Sequence, residues 1–187
     1  MKSFLTALIG RLQLPSIVIY LNILSFKNRI IWFFSNNKKI VNSEKFSNKF
    51  ALIALFQKGE LREDIKNLIN TLKEKGFYVI GVNTLKLDAE NSSLFDTYIE
   101  RYNYGRDFGS YKDGFLEIFK IIKRNNIDPS VLMLNDSVFY SYENLDGFIE
   151  KMTNNNYELT GATENFEIEH HIGSFCINFM PKILKNK

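Results

Sequence analysis

Two stretches of this 187-residue chain bring together residue types that do chemistry. The first runs Arg101-Tyr102-Asn103-Tyr104-Gly105-Arg106-Asp107-Phe108-Gly109-Ser110-Tyr111-Lys112-Asp113-Gly114. Gly105 and Gly109 let a backbone bend and approach a ligand closely, and Ser110 with Asp113 three residues on fits a capping box that opens a helix. A cation in the first turn of a helix opposes the macrodipole. Lys112 there, beside Arg106 and free backbone amides, therefore points to an anion such as a diphosphate; the alternative is a solvated lysine turned away from it. The spacing Gly105-x-x-x-Gly109 matches neither a Walker loop nor a dinucleotide fingerprint. The second stretch, Val131-Leu132-Met133-Leu134-Asn135-Asp136-Ser137, ends an apolar run with an amide, a carboxylate and a hydroxyl. Such oxygen ligands suit Mg²⁺ or Mn²⁺, which bridges a diphosphate and stabilises its departure. Taken alone, the same three residues are also ordinary turn chemistry. They match the N-glycosylation acceptor pattern too, as do Asn91–Ser93.

A third group lies later in the chain. His170 and His171 are the two histidines of the sequence. A histidine titrating near neutrality deprotonates an acceptor hydroxyl or orients a phosphate. Glu164, Glu167 and Glu169 are acidic alternatives for the base, and a structural histidine at a sheet edge is the competing reading.

The elements that must position these groups follow from periodicity. Phe50–Phe56 is an apolar run, Gln57–Glu60 a polar break, and Leu61, Ile65, Leu68, Ile69 and Leu72 recur at helical spacing. This predicts strand, loop and helix, with Gly76 as the left-handed residue closing the helix and Phe77–Val82 as the second strand. A third strand is expected at Phe95–Glu100, a loop at Asn103–Gly109, and a helix whose face carries Phe115, Ile118, Phe119 and Ile122. Val131–Leu134 predicts another strand, Leu145, Phe148, Ile149 and Met152 another helix, and Tyr157–Thr163 and Ile172–Phe179 a last pair of strands. Alternation of this kind implies right-handed crossovers and a mostly parallel, doubly wound α/β sheet. Ligands sit beyond the carboxyl ends of such strands. That rule selects the loops Gln57–Glu60, Asn83–Asp88, Asn103–Gly109 and Asn135–Tyr142.

Composition bounds the rest. The chain is long enough for one sizeable core, and 17 Phe with 9 Tyr against 3 Pro describe a packed globule. The lone Cys176 excludes an intramolecular disulfide and suits a reducing cytoplasm. The net charge is +3, but Lys2, Arg11, Lys27, Arg29, Lys38 and Lys39 all precede the first acidic residue, Glu44. Residues 1–48 are thus expected to be a basic, apolar helical segment, and 49–187 the main domain. The apolar stretches Phe4–Gly10, Leu14–Phe26 and Ile30–Phe34 each fall short of a membrane span, so no transmembrane segment is expected. No small-residue cleavage site follows them, which argues against a secretory signal. Helices covering the core are the first reading of this segment, and a peripheral surface on an anionic membrane is the second. Nucleic acid is not an expected partner, because Trp32, Phe33 and Phe34 are contiguous rather than interleaved with basic residues.

Arg101-x-Asn103-x-Gly105-x-Asp107-Phe108-Gly109-Ser110-Tyr111-Lys112-x-Gly114, then Leu134-Asn135-Asp136-Ser137, then Thr160-Gly161-Ala162-Thr163 and His171-x-x-Ser174 resemble the rhamnan synthesis protein F family in order and spacing. The resemblance covers about Phe50 to Phe179. It implies a GT-A-like nucleotide-sugar-binding architecture and a glycosyltransferase, here a rhamnosyltransferase. It also implies a dTDP-rhamnose-type donor, a growing cell-surface glycan as acceptor, and a place at the cytoplasmic face of the cell membrane. Carried over residue by residue, Asn103, Gly105, Arg106, Asp107, Gly109, Ser110, Lys112, Asn135 and Ser137 would hold the donor. Asp136 would face the Mg²⁺ or Mn²⁺ ion or the diphosphate, with Asn-Asp-Ser standing where many relatives carry Asp-x-Asp. His171, which falls on the family's histidine, and Glu164 are the catalytic candidates. Acceptor sites in such transferases usually come from the later part of the fold, whereas this chain ends about fifty residues beyond Asp136. A non-catalytic or truncated sugar-nucleotide-binding chain, or a generic nucleotide-binding α/β domain, are the alternative expectations.

Overall fold

The structure, a computed structural model, describes residues 2–166 and 169–185. The chain divides into two compact units, Met1–Asn36 and Asn37–Lys187. The first is one α-helix, α1 (Lys2–Phe34), continuous through Pro15. One continuous helix replaces the several short helices expected for this segment. The separate apolar stretches lie in a single helix, and none of the residues Pro15–Phe34 is buried. By length and composition alone that continuous stretch is sufficient to cross a membrane, which none of the separate apolar stretches is.

The second unit is α/β. A seven-stranded sheet has the order β1-β4-β3-β2-β5-β9-β6, built from β1 (Lys38–Val41), β2 (Lys49–Leu55), β3 (Tyr78–Asn83), β4 (Thr97–Glu100), β5 (Ser130–Asn135), β6 (Leu159–Gly161) and β9 (Cys176–Phe179). The four inner strands β4, β3, β2 and β5 run parallel. β1 joins β4 and β9 joins β5 antiparallel, which makes the sheet mixed. A separate two-stranded ribbon pairs β7 (Glu164–Asn165) with β8 (His171–Ile172). The compact unit begins earlier than the expected residue 49 because Lys38–Val41 pairs with Thr97–Glu100.

Strand β2 alternates its side chains between two cores. Ala51, Ile53 and Leu55 join Ile65, Leu68, Ile69 and Leu72 of α2 (Glu63–Glu74), and Leu145, Ile149 and Met152 of α5 (Leu145–Thr153). Phe50, Leu52 and Ala54 join Tyr111, Ile118 and Ile121 of α4 (Arg106–Asn125) on the opposite face. The sheet is therefore covered on both sides, which is why its central strands read as unbroken apolar runs. Helix α2 closes on Gly76 at φ +79°, with the Phe77 amide donating to the Leu72 carbonyl and the Gly76 amide to that of Lys73. This is a Schellman ending, as the glycine predicts.

Three local expectations change. A short helix, α3 (Ala89–Ser93), occupies part of the polar stretch after β3, capped by the Asp88 carboxylate, which accepts from the Asn91 amide. The last two strand-like runs break into β6, β7, β8 and β9, followed by α6 (Pro181–Lys185). Helix α4 opens at Gly105–Arg106 rather than at Ser110, so Ser110 is a buried helical residue and not the cap.

Gly114 sets how closely α4 approaches the sheet. A Cβ there would collide with the side chain of Leu52, itself fully buried. Gly114→Val should therefore cost about 1–3 kcal/mol through overpacking. Urea unfolding of the variant beside the wild type measures this, and an unchanged midpoint would show that Leu52 yields freely.

Candidate functional site at the carboxyl edge of the sheet

The chain leaves β2 in one direction to build β3 and β4, then returns on the other side of β2 to form β5. Loops after β2 and β5 therefore diverge, and a crevice opens at this switch point. A cleft of about 580 Å³ occupies that edge. Phe56, Gln57 and Arg62 line it from the β2 side and Thr84 from β3. Asn103, Arg106 and Asp107 come from β4 and the opening of α4, and Asp136 and Ser137 from β5. Other hollows include one of about 230 Å³ beside β1 and α4, and one of about 380 Å³ lined by Phe139, Tyr140, Phe148 and Phe175.

The crevice is cross-linked at its base. Asp136 Oδ2 accepts hydrogen bonds from the Phe56 amide and from Gln57 Nε2, both at 2.8 Å. Gln57 Oε1 accepts from the Arg62 amide at 2.8 Å. The Arg62 guanidinium donates to the backbone carbonyls of Asp136 (2.9 Å) and Val138 (2.7 Å), and grips Asp64 through Nε and Nη2 at 2.9 and 2.7 Å. Asp64 also accepts from the Tyr140 amide at 3.0 Å. Burial disfavours ionisation of Asp64, but the bonds from Arg62 and from the Tyr140 amide outweigh it and hold the carboxyl below the usual aspartate range.

Asp107, which lines the cleft, behaves oppositely to Asp64. Asp107 lies in the first turn of α4, and Asn135 Nδ2 donates to its Oδ2 at 3.2 Å. Burial, with the negative charge of Asp136 second, raises its pKa above the ordinary aspartate value; the Asn135 bond and Arg106 oppose this. A positive charge entering the cleft would favour the ionised form of Asp107. Among the described residues no group of three or more His, Cys, Asp or Glu is placed to hold a metal ion. The cleft lining carries two acidic residues, Asp107 and Asp136, fewer than a cation site built from protein ligands alone requires.

The glycine-marked segment is organised from below by Arg101. Its side chain is buried, donating from Nε to Asp113 at 2.8 Å and from Nη2 to the Tyr104 carbonyl, while Nη1 has no hydrogen-bond partner among the described residues. Gly109 packs against this guanidinium and the Tyr104 carbonyl, where a Cβ would collide. Gly105 at φ +81° turns the chain into the helix, and Arg106 follows at φ +48°, an uncommon conformation for a non-glycine residue. Such strain persists where the surroundings hold it, and it gathers at ligand sites.

Of the residues singled out in the sequence, Asn103, Arg106, Asp107, Asp136 and Ser137 line one cleft. Asn135 is buried directly behind it, its Oδ1 accepting from the Ser137 hydroxyl at 2.6 Å. Asn135 and Asn91 are both buried, so neither glycosylation pattern presents an acceptor on the folded surface. Gly105 and Gly109 shape the backbone, and Ser110 packs in the interior. Lys112 is exposed in the second turn of α4 and does not line the cleft, which corrects its expected place in the first turn.

Glu164 and His171 lie on the exposed β7–β8 ribbon, outside the lining. His170 Nε2 meets Glu164 Oε2 at 3.1 Å, and His171 Nδ1 meets the Glu169 carbonyl at 2.9 Å. Glu167 falls outside the described residues. Ser174 is tied to the interior, its carbonyl accepting from the Tyr111 hydroxyl at 3.0 Å. Cys176 is fully buried, and burial pushes its thiol up to about 12, which makes it inert. The residues missed from the sequence are Phe56, Gln57, Arg62 and Thr84. The carboxyl-end rule selected the loops that hold Gln57 and Thr84, but no local motif distinguishes any of the four.

No family model matches this chain, and no solved structure matches it. It is similar to an uncharacterized protein of Sinorhizobium fredii, y4gN, at 28% identity over 149 residues, 75% of this chain and 38% of that protein. It is also similar to the virulence protein VirA of Vibrio anguillarum, at 31% identity over 113 residues, 58% of this chain and 34% of that protein. The chain thus spans less than two-fifths of the length of either relative.

Two outcomes follow from the opposed carboxylates. Asp64→Ala strips Arg62 and the buried Tyr140 amide of their acceptor and should cost about 2–4 kcal/mol in chemical unfolding. The wild-type contribution of Asp64 is present above the unfolded aspartate pKa and is lost as pH falls through its lower folded value, so the gap between the two proteins should narrow in acid. Asp107 has the reverse sign. Its folded pKa is raised, so its contribution is present below the unfolded value and is lost as pH rises through the folded one. Asp107→Asn should therefore be the more stable protein at neutral pH, with the advantage shrinking in acid. Thermal unfolding across pH reads this, and a destabilised Asp107→Asn at neutral pH would contradict it.

Proposed function

We propose that the domain of residues 37–187 holds a nucleotide-activated sugar in this cleft and acts as the donor side of a glycosyltransferase. The donor is of the dTDP-rhamnose type, the acceptor is a growing cell-surface polysaccharide, and the architecture is GT-A-like. The observation that carries this reading is the convergence of Asp107, Asp136 and Arg106 on one cleft at the opening of a 20-residue helix. A diphosphate matches these charges. Its oxygens would meet Arg106 and the positive end of α4, while a divalent cation held between the phosphates and the two carboxylates would neutralise the leaving group. Arg62 is committed to Asp64 and the β5 loop, and Arg106 is the other cation of the lining. Phe56 lines the cleft at 59% exposure, an apolar plate suited to stacking on a base or sugar. The joint motifs of the rhamnan synthesis protein F resemblance supply the sugar and the polysaccharide, and with them a site of action at the cytoplasmic face of the membrane.

Transfer also needs an acceptor hydroxyl to lose its proton. His171 and Glu164 are the proposed groups, yet both lie outside the cleft lining. This favours a second reading, in which the chain holds the donor and does not itself catalyse transfer. Turnover of a sugar nucleotide by this chain alone would eliminate it.

A thermal-shift series with sugar nucleotides, free nucleotides and Mn²⁺ tests the donor site. At a hundredfold excess over Kd, a bound donor stabilises by about 2.7 kcal/mol, about 5–10 °C for a domain of this size. Asp136→Asn should lose most of that shift. Equal shifts from free nucleotides and sugar nucleotides would instead describe a generic nucleotide-binding domain, and no shift with any of them would remove the proposal.

A further inference from the structure

Helix α1 presents apolar side chains around its whole circumference. Successive helical residues are turned by about 100°, so Ile17, Val18, Ile19 and Tyr20 together cover nearly the full circle. Each is at least half exposed, from 52% to 61%. A helix apolar on every side is either enclosed in a protein core or a membrane span, and the exposure of these side chains excludes the first. Length agrees with this. The 20 residues Pro15–Phe34 span about 30 Å at 1.5 Å per residue, the thickness of a bilayer's hydrocarbon core.

Charge supplies an independent observation. Lys27 and Arg29 are the charged residues within that stretch, seven and five positions before its end, about 10 and 8 Å along the axis. Long basic side chains at that depth reach back to the headgroups. Trp32 lies in the same final turns, where its ring fits the interface. Lys38 and Lys39 follow the helix, and no acidic residue occurs before Glu44. The C-terminal end of α1 therefore complements an anionic headgroup layer.

We propose that α1 inserts into a lipid bilayer along Pro15–Phe34, with its C-terminal end at an anionic leaflet. This does not depend on what the cleft binds. The full chain, reconstituted with vesicles of phosphatidylcholine and phosphatidylglycerol, should float with them and stay bound after both high-salt and alkaline carbonate washes. Ile19→Glu combined with Ile23→Glu should lower the carbonate-resistant fraction about tenfold or more. The combination of Lys27→Gln and Arg29→Gln should leave that fraction in place, since insertion rests on apolar contact. The unfolding midpoint of the main domain, followed in each variant, separates lost insertion from a lost fold. Release of the wild type by salt alone would reduce the contact to surface charge and overturn the proposal. A vesicle-free oligomer held together through α1, or recovery of the chain from cells with the helix removed, would overturn it too.

Discussion

The whole carboxyl edge depends on one acceptor, Oδ2 of Asp136. Phe56 and Gln57 lead away from β2 while Asp136 leads away from β5, and at this point the two chains would otherwise part. Two hydrogen bonds to a single oxygen tie them together, and Arg62 closes the ring by donating to the Asp136 and Val138 carbonyls. A charged acceptor strengthens each bond relative to a neutral one. Buried Asp64 then fixes Arg62, so the position of the cleft carboxylate traces back to the ion pair between cleft-lining Arg62 and buried Asp64.

The opposite wall is built by a different device with a similar cost. Arg101 is a buried cation beneath the turn into α4, satisfied by Asp113 and the Tyr104 carbonyl but with Nη1 unpaired. Over it the chain passes through two positive-φ residues, Gly105 at the N-cap and Arg106 as the first residue of the helix. Both the orphaned nitrogen and the strained arginine disfavour the fold, and Asp107 beside Asp136 adds repulsion. All three liabilities sit within the Arg101–Asp107 segment. Asn126 and Asn144 also have positive φ, and Asn178 Oδ1 is also without a partner among the described residues, but in Arg101–Asp107 strain, an unpaired nitrogen and like charge adjoin a cleft, as they do at ligand sites.

Much of this was legible in the chain. Strands β2, β3 and β5 announce themselves because a sheet covered on both faces needs unbroken apolar runs, and α2 and α5 because one buried stripe imposes helical spacing. Gly76 marked its helix ending for a purely local reason, the left-handed turn. The carboxyl-end rule chose the loops, and the polar residues within two of them, Asn103, Arg106, Asp107, Asp136 and Ser137, do converge. The opening of α4 was misplaced because Ser110 and Asp113 imitate a capping box. A turn through Gly105 and Arg106 uses no capping side chain at all.

The sequence by itself determined the α/β alternation, the apolar strands and the polar loops, since each follows from contacts or periodicities within a few residues. Only the tertiary structure decided which side chains share the cleft. Gln57, Arg62 and Asp64 meet Asp136 and Tyr140 across 74 to 79 positions of chain, and Lys38–Val41 became an edge strand only by pairing with Thr97–Glu100. Pairings over such separations depend on strand order, and no local pattern encodes them. The continuity of α1 was hidden for a related reason, because Lys27 and Arg29 interrupt an apolar run on paper without interrupting a helix.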